Sequence, residues 1–147
     1  MTFDRSGLRV LDEAECRALL AAAPLGRVVF TERALPAVQP VGFALRGREL
    51  VVGVAPGSPL AGLARGTVVA FEADAYDAAG RTGWSVVVVG PARPARPDEV
   101  AGALPVPSWP APAAVPDRYL VIGCELVSGR RIPQAPATAP YRDVRPC

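Results

Sequence analysis

Residues 83–90 read Gly83-Trp84-Ser85-Val86-Val87-Val88-Val89-Gly90, and this run decides the fold. Four consecutive valines bounded by a Trp-Ser pair and two glycines are a strand, because β-branched side chains crowd a helix turn but pack well on a pleated surface. Strict alternation of apolar and polar residues is weak from Val86 to Val89. Both faces of the strand are therefore expected to be covered, one by a barrel interior and the other by a subunit partner. Thr67 to Ala75, just upstream, is a second long strand-like run, and Tyr76-Asp77-Ala78-Ala79-Gly80 between the two reads as a hairpin loop.

Working outward, Arg27 to Thr31, Ala37 to Leu45 and Glu49 to Val54 are three more β-rich runs, with Arg46-Gly47 as the tightest turn. Ahead of them, Asp12-Glu13-Ala14-Glu15 opens a helix. Asp12 is placed to cap the first-turn amides, Glu15 sits at the third helical position, and Leu11 can staple onto Cys16. Leu19 and Leu20 follow Cys16 at the spacing of one buried face, and Pro24 with Gly26 ends the helix. A second break, Ala55-Pro56-Gly57-Ser58-Pro59, predicts a short helix capped by Ser58, running through Leu60, Leu63 and Ala64 and stopping at Gly66.

Past Gly90 the composition changes, with eight prolines between Pro91 and Pro116. Residues 91–117 are expected to form a long loop or flap, with a brief helix from Asp98 to Leu104. A last strand, Arg118 to Val127, leads into Ser128-Gly129-Arg130-Arg131, and residues 133–147 read as a flexible tail rich in Pro and Ala. There is no internal repeat. Six strands at hairpin spacing with peripheral helices make residues 1–132 one mainly β domain, a six-stranded antiparallel barrel.

The 147 residues are half hydrophobic and 20% charged, enough for one real core. Histidine, lysine and asparagine are all absent, so the sixteen cationic side chains are arginines. That removes Ser-His-Asp and Cys-His catalysis, His-bearing zinc sites and lysine Schiff bases. A net charge of +2 with scattered arginines excludes a nucleic-acid footprint, and no apolar run reaches the length of a membrane span. Cys16, Cys124 and Cys147 are odd in number and lack CxxC spacing, which places the chain in a reducing cytoplasm. Cys16 and Cys124 read as small hydrophobes. Glu72 and Asp74 share one strand face and read as a solvated face in preference to an acid/base pair.

The order of these pieces resembles the pyridoxamine 5'-phosphate oxidase-like split barrels. The carriers are Leu11 to Cys16 with Leu19-Leu20, Gly26 to Phe30, Pro40-Val41-Gly42-Phe43, Val69 to Asp74, Gly83 to Gly90 and Ser128 to Arg131. The resemblance implies a split β-barrel, a homodimer, and FMN or a deazaflavin held in a groove between the subunits, acting on a small molecule. It puts Val41, Gly42, Ser58, Trp84, Ser85 and Arg130 at the groove, although an aromatic opening a strand serves a core or an interface equally well.

Three departures bear on the cofactor. Gly53, Val54 and Pro59 stand where the family holds its flavin phosphate with Arg, Thr and Lys, and Gly42 replaces a common Asn. Charge-assisted donors are worth roughly 1.5 to 3 kcal/mol each, so their loss weakens FMN by several powers of ten. Ser58 at a helix start, with Arg46, Arg48 or Arg65, is what remains for an anion. Two readings therefore stand: a flavin-dependent oxidoreductase, or a split barrel that has lost flavin and serves as a ligand-binding module or a cofactor-independent enzyme.

Overall fold

The structure is a computed structural model that describes residues 1–55, 57–100 and 118–134. The distal part of the Pro-rich segment, the Pro/Ala tail from residue 135 and Cys147 lie outside the described residues.

The elements run β1 (Arg9–Leu11), α1 (Glu13–Ala22), β2 (Gly26–Glu32), β3 (Leu35–Val41), β4 (Phe43–Arg46), β5 (Glu49–Val54), β6 (Thr67–Asp77), β7 (Thr82–Pro94), α2 (Pro97–Val100), β8 (Arg118–Gly123) and β9 (Leu126–Ile132). The strands pair in the order β3-β2-β6-β7-β8-β5-β4, with β9 joining β7 to β1, and every pairing is antiparallel. The curled sheet is the split barrel that the sequence order predicts.

Its interior is apolar. Val28, Phe71, Val86, Val88, Leu50, Val52 and Ile122 are shut away from solvent, and Phe43 meets Phe71 edge-on at 4.7 Å between ring centroids. Gly26 opens β2 because a Cβ there would collide with the Phe71 ring. The helix α1 starts as its residues dictate: Asp12 accepts from the Glu15 amide at 2.8 Å and the Glu15 carboxylate accepts from the Asp12 amide at 2.9 Å. Its Cys16 and Leu20 pack inward, and burial pushes the Cys16 thiol pKa up.

Nine strands replace the six expected, for three reasons. The run Ala37 to Leu45 is cut at Gly42, where the chain leaves β2 as its neighbour and takes up β5. The run Arg118 to Val127 is cut at Cys124-Glu125, because β8 pairs with residues 92–94 of β7 while β9 pairs with residues 83–89. At that changeover Gly90 lies so close to the Gly123 carbonyl that any Cβ would overlap it. Finally, residues 9–11, expected to be leader, form β1 against Gly129, Arg130 and Arg131. Ser128 to Arg131 is thus strand interior rather than a strand end. Gly129 is there because Leu11 and the Cys16 sulfur of α1 press against its backbone.

Two boundaries also move. β7 runs on through Pro94, so residues 91–94 are ladder rather than loop, with Ala92 and Arg93 bonded across to Ile122 and Val121. The helix expected at Asp98 is the single turn α2, held down by Glu99. That carboxylate is only 8% exposed; it meets Arg93 Nη1 at 2.6 Å, Arg46 Nη2 at 3.1 Å and the Arg96 amide at 2.9 Å. Arg93 first, then the Arg96 amide, hold its pKa well below the usual carboxylate range. Among the described residues no helix is long and apolar enough to cross a membrane, and no cluster of ligating side chains suits a metal ion.

Candidate functional site

Cross-strand register builds the site. Asp74 on β6 faces Ser85 on β7, Ser85 faces Arg130 on β9, and Arg130 faces Val10 on β1, so the four share one rung and one face. Beside this rung lies a pocket of about 330 Å³. Leu8, Tyr76, Trp84 and Ile132 give it apolar and aromatic walls, while Asp74, Ser85 and Arg130 give it polar atoms.

The polar atoms are already organised. The Ser85 hydroxyl donates to Glu72 Oε1 at 3.2 Å, and Arg27 Nη1 donates to Glu72 Oε2 at 2.9 Å and to Asp74 Oδ1 at 3.4 Å. Glu72 is 22% exposed rather than solvated. Burial, and next the neighbouring Asp74 carboxyl, push its pKa up against the opposing pull of Ser85 and Arg27. Arg130 donates from Nε to Asp4 Oδ2 at 2.8 Å and from Nη1 to the Gly129 carbonyl at 2.9 Å.

The same sheet face carries a second feature one rung further on. Val38, Val29, Ala70, Val89 and Leu126 stand opposite one another in turn across β3, β2, β6, β7 and β9. Val38 is 60% exposed and Leu126 is 67% exposed. The rung between this row and the pocket holds Arg27, Glu72, Val87 and Ser128.

Comparison with known proteins agrees with this architecture, since residues 12–131 match the pyridoxamine 5'-phosphate oxidase family. The chain belongs to that family. A Mycobacterium tuberculosis relative, the uncharacterized protein Rv0080, is 37% identical over 127 residues, covering 83% of this chain and 84% of its own. Among solved structures, an FAD binding protein from Mycobacterium smegmatis is 29% identical, with a TM-score of 0.67, over 86% of this chain and 99% of its own. A Corynebacterium glutamicum chain provisionally named a pyridoxamine 5'-phosphate oxidase is 30% identical, with a TM-score of 0.70, over 85% of this chain and 98% of its own.

Against the oxidase-family expectation, the six groove residues fall into two sets. Trp84, Ser85 and Arg130 meet at the pocket; Val41, Gly42 and Ser58 do not line it. Val41 is a core residue, and the Gly42 carbonyl accepts from the Gly53 amide at 3.2 Å. The helix expected after Ser58 is one 3-10 turn, Pro59–Gly62, and the Ser58 hydroxyl accepts from the Leu60 amide at 3.2 Å as its cap. Val54 is buried. Of the arginines left for an anion, Arg46 is engaged with Glu99 and Glu49, Arg48 lies 3.5 Å from Glu13, and Arg65 lines a separate hollow with Glu49 and Arg93.

Sequence reasoning missed Tyr76, Leu8, Ile132 and Asp4. Tyr76 was legible, because it continues the Glu72, Asp74 alternation by one more step of two and therefore belongs to the strand face, not the loop.

Proposed function

We propose that the protein is a homodimeric, flavin-dependent oxidoreductase acting on a small molecule, with the flavin ring seated in the Trp84, Ser85, Arg130 pocket. The observation that carries this is convergence: three residues from two strands, expected at the groove before any coordinates, line one cavity. The donor set suits a flat conjugated ring with a polar edge. Trp84 and Tyr76 offer aromatic surface, Ser85 a hydroxyl, and Arg130 the guanidinium. A bound flavin supplies hydride and single-electron transfer; the chain supplies orientation, donors and exclusion of water. A deazaflavin presents the same carbonyl-bearing edge and fits the same donors.

The exposed row from Val38 to Leu126 supports a second copy of this chain as the covering partner. A contiguous apolar band of this kind marks an association surface. Its rungs lead directly to the pocket, so the partner would shield the cavity. Small molecules and a second copy, rather than nucleic acid or a membrane, are the partners this reading needs, in the cytoplasm that the cysteine pattern suggests.

One observation favours the alternative, a barrel that no longer binds flavin. At residues 53–59 the phosphate-gripping side chains are replaced by Gly53, buried Val54 and Pro59, and the Ser58 hydroxyl is consumed in capping. Titrating the purified protein with riboflavin, FMN, FAD and a deazaflavin, followed by flavin fluorescence, separates the two. Saturable binding at one ring per subunit supports the oxidoreductase reading; no binding of any of the four selects the flavin-free barrel. Sizing chromatography reports the dimer.

A further inference from the structure

Arg130 is the one cation among the residues lining the pocket, and it does not meet the cavity as a free charge. The Asp4 carboxylate sits on its Nε at 2.8 Å. Asp4 is delivered there by a miniature hairpin. Val10 donates to the Thr2 carbonyl and Asp4 to the Leu8 carbonyl, each at 2.8 Å, Phe3 bridges Arg9, and Gly7 turns the chain at φ +80°. Two amides, Ser6 at 2.9 Å and Leu8 at 3.0 Å, donate to Asp4 Oδ1, leaving Oδ2 for the arginine. The hairpin lies outside the region that matches the family, residues 12–131, and its Leu8 lines the same pocket.

From this placement we infer that Asp4 is a specificity-determining residue, an internal counter-anion that answers the charge of Arg130 so that the pocket takes an uncharged polar edge and turns away phosphate. Two features strengthen it. Asp74 lines the same pocket, so an entering anion meets a second carboxylate. The Leu8 amide, and then Arg130 and Ser6, keep the Asp4 pKa below the ordinary carboxylate value, so the counter-charge stays in place at neutral pH. The terminal nitrogen Nη2 of Arg130 has no acceptor among the described residues and remains available to a carbonyl.

The identity of the ring rests on the flavin reading above; the charge filter does not. Asp4→Asn is the sharp test, since Asn keeps an oxygen for the Ser6 and Leu8 amides and removes only the charge. In a Trp109→Phe background, where Trp84 is the sole tryptophan, the full-length protein is titrated with inorganic pyrophosphate by tryptophan fluorescence. Riboflavin and FMN are titrated by flavin fluorescence. Asp4→Asn should bind pyrophosphate about tenfold or more tighter and shift the FMN-to-riboflavin preference towards FMN by a similar factor, with riboflavin unchanged. Adding Arg130→Gln should erase both gains. Pyrophosphate affinity unaltered by Asp4→Asn, or a gain that survives loss of Arg130, overturns the inference. A pyrophosphate gain without any flavin binding would uphold Asp4 and sink the flavin reading, whereas flavin binding indifferent to Asp4→Asn would do the reverse.

Discussion

Two pockets of nearly equal size, about 330 and 340 Å³, lie in different parts of this barrel, and they differ in what holds their arginine. In the first, Arg130 is fixed by Asp4 beside a Ser85–Glu72–Arg27 chain of hydrogen bonds. In the second, Arg118 stands opposite Val54, and the remaining walls include Leu63, Leu120, Pro97 and Tyr119. The first offers directional donors, the second mainly apolar contact. A polar-edged ring gains from the former, because a buried acceptor left unpaired costs about as much as a good hydrogen bond returns. Shape and volume alone do not separate the pockets; prearranged polar atoms do.

Four measurements test that contrast. Leu126→Asp puts a charge into the exposed apolar row and should convert dimer to monomer on sizing chromatography, with flavin affinity falling alongside because the Arg130 pocket shares that face. Trp84→Ala should weaken riboflavin by about tenfold or more, the scale of one stacked aromatic wall, while Arg118→Ala leaves it unchanged. The reverse result would move the ring to the second pocket.

Glu72→Gln addresses the hydrogen-bond chain through pH. A carboxyl whose folded pKa is raised binds more protons folded than unfolded, so its favourable contribution is complete below the unfolded value and is lost as pH climbs through the folded one. Thermal melts should therefore show the wild type losing stability above its ordinary carboxyl range relative to Glu72→Gln, whose curve lacks that slope. The smallest effect belongs to Ser58→Ala. Removing a cap should cost about 0.5 to 1 kcal/mol in denaturant melts with riboflavin affinity untouched; weaker binding would instead bring Ser58 back to the ligand.

The sequence was most readable where local chemistry and tertiary role coincide. The capping box at Asp12 and Glu15, the valine strand and its hairpin with β6 could be read directly, because caps and β-branched runs act over a few residues. Half the candidate site was legible for the same reason, since Trp84, Ser85 and Arg130 sit on strands whose identity was plain. What was hidden are the partner changes. Nothing local in Ala37 to Leu45 says that its two halves pair with different strands, and Gly129 looks like a turn residue until α1 is packed against it. Asp4 was invisible because its role depends on an arginine far along the chain.

That separation affects how the molecule is made. Arg9, Val10 and Leu11 pair with Arg131, Arg130 and Gly129, a contact joining nearly opposite ends of the described fold. The β6–β7 hairpin is local and can form while the chain is still emerging from the ribosome, but β9 emerges after every strand it pairs with. The pocket is therefore a late product of folding. Until β9 docks, β7 keeps an unpaired edge at Ser85 and Val87, and neither Arg130 nor its counter-charge is in place, so a half-made chain has a barrel core without a binding site.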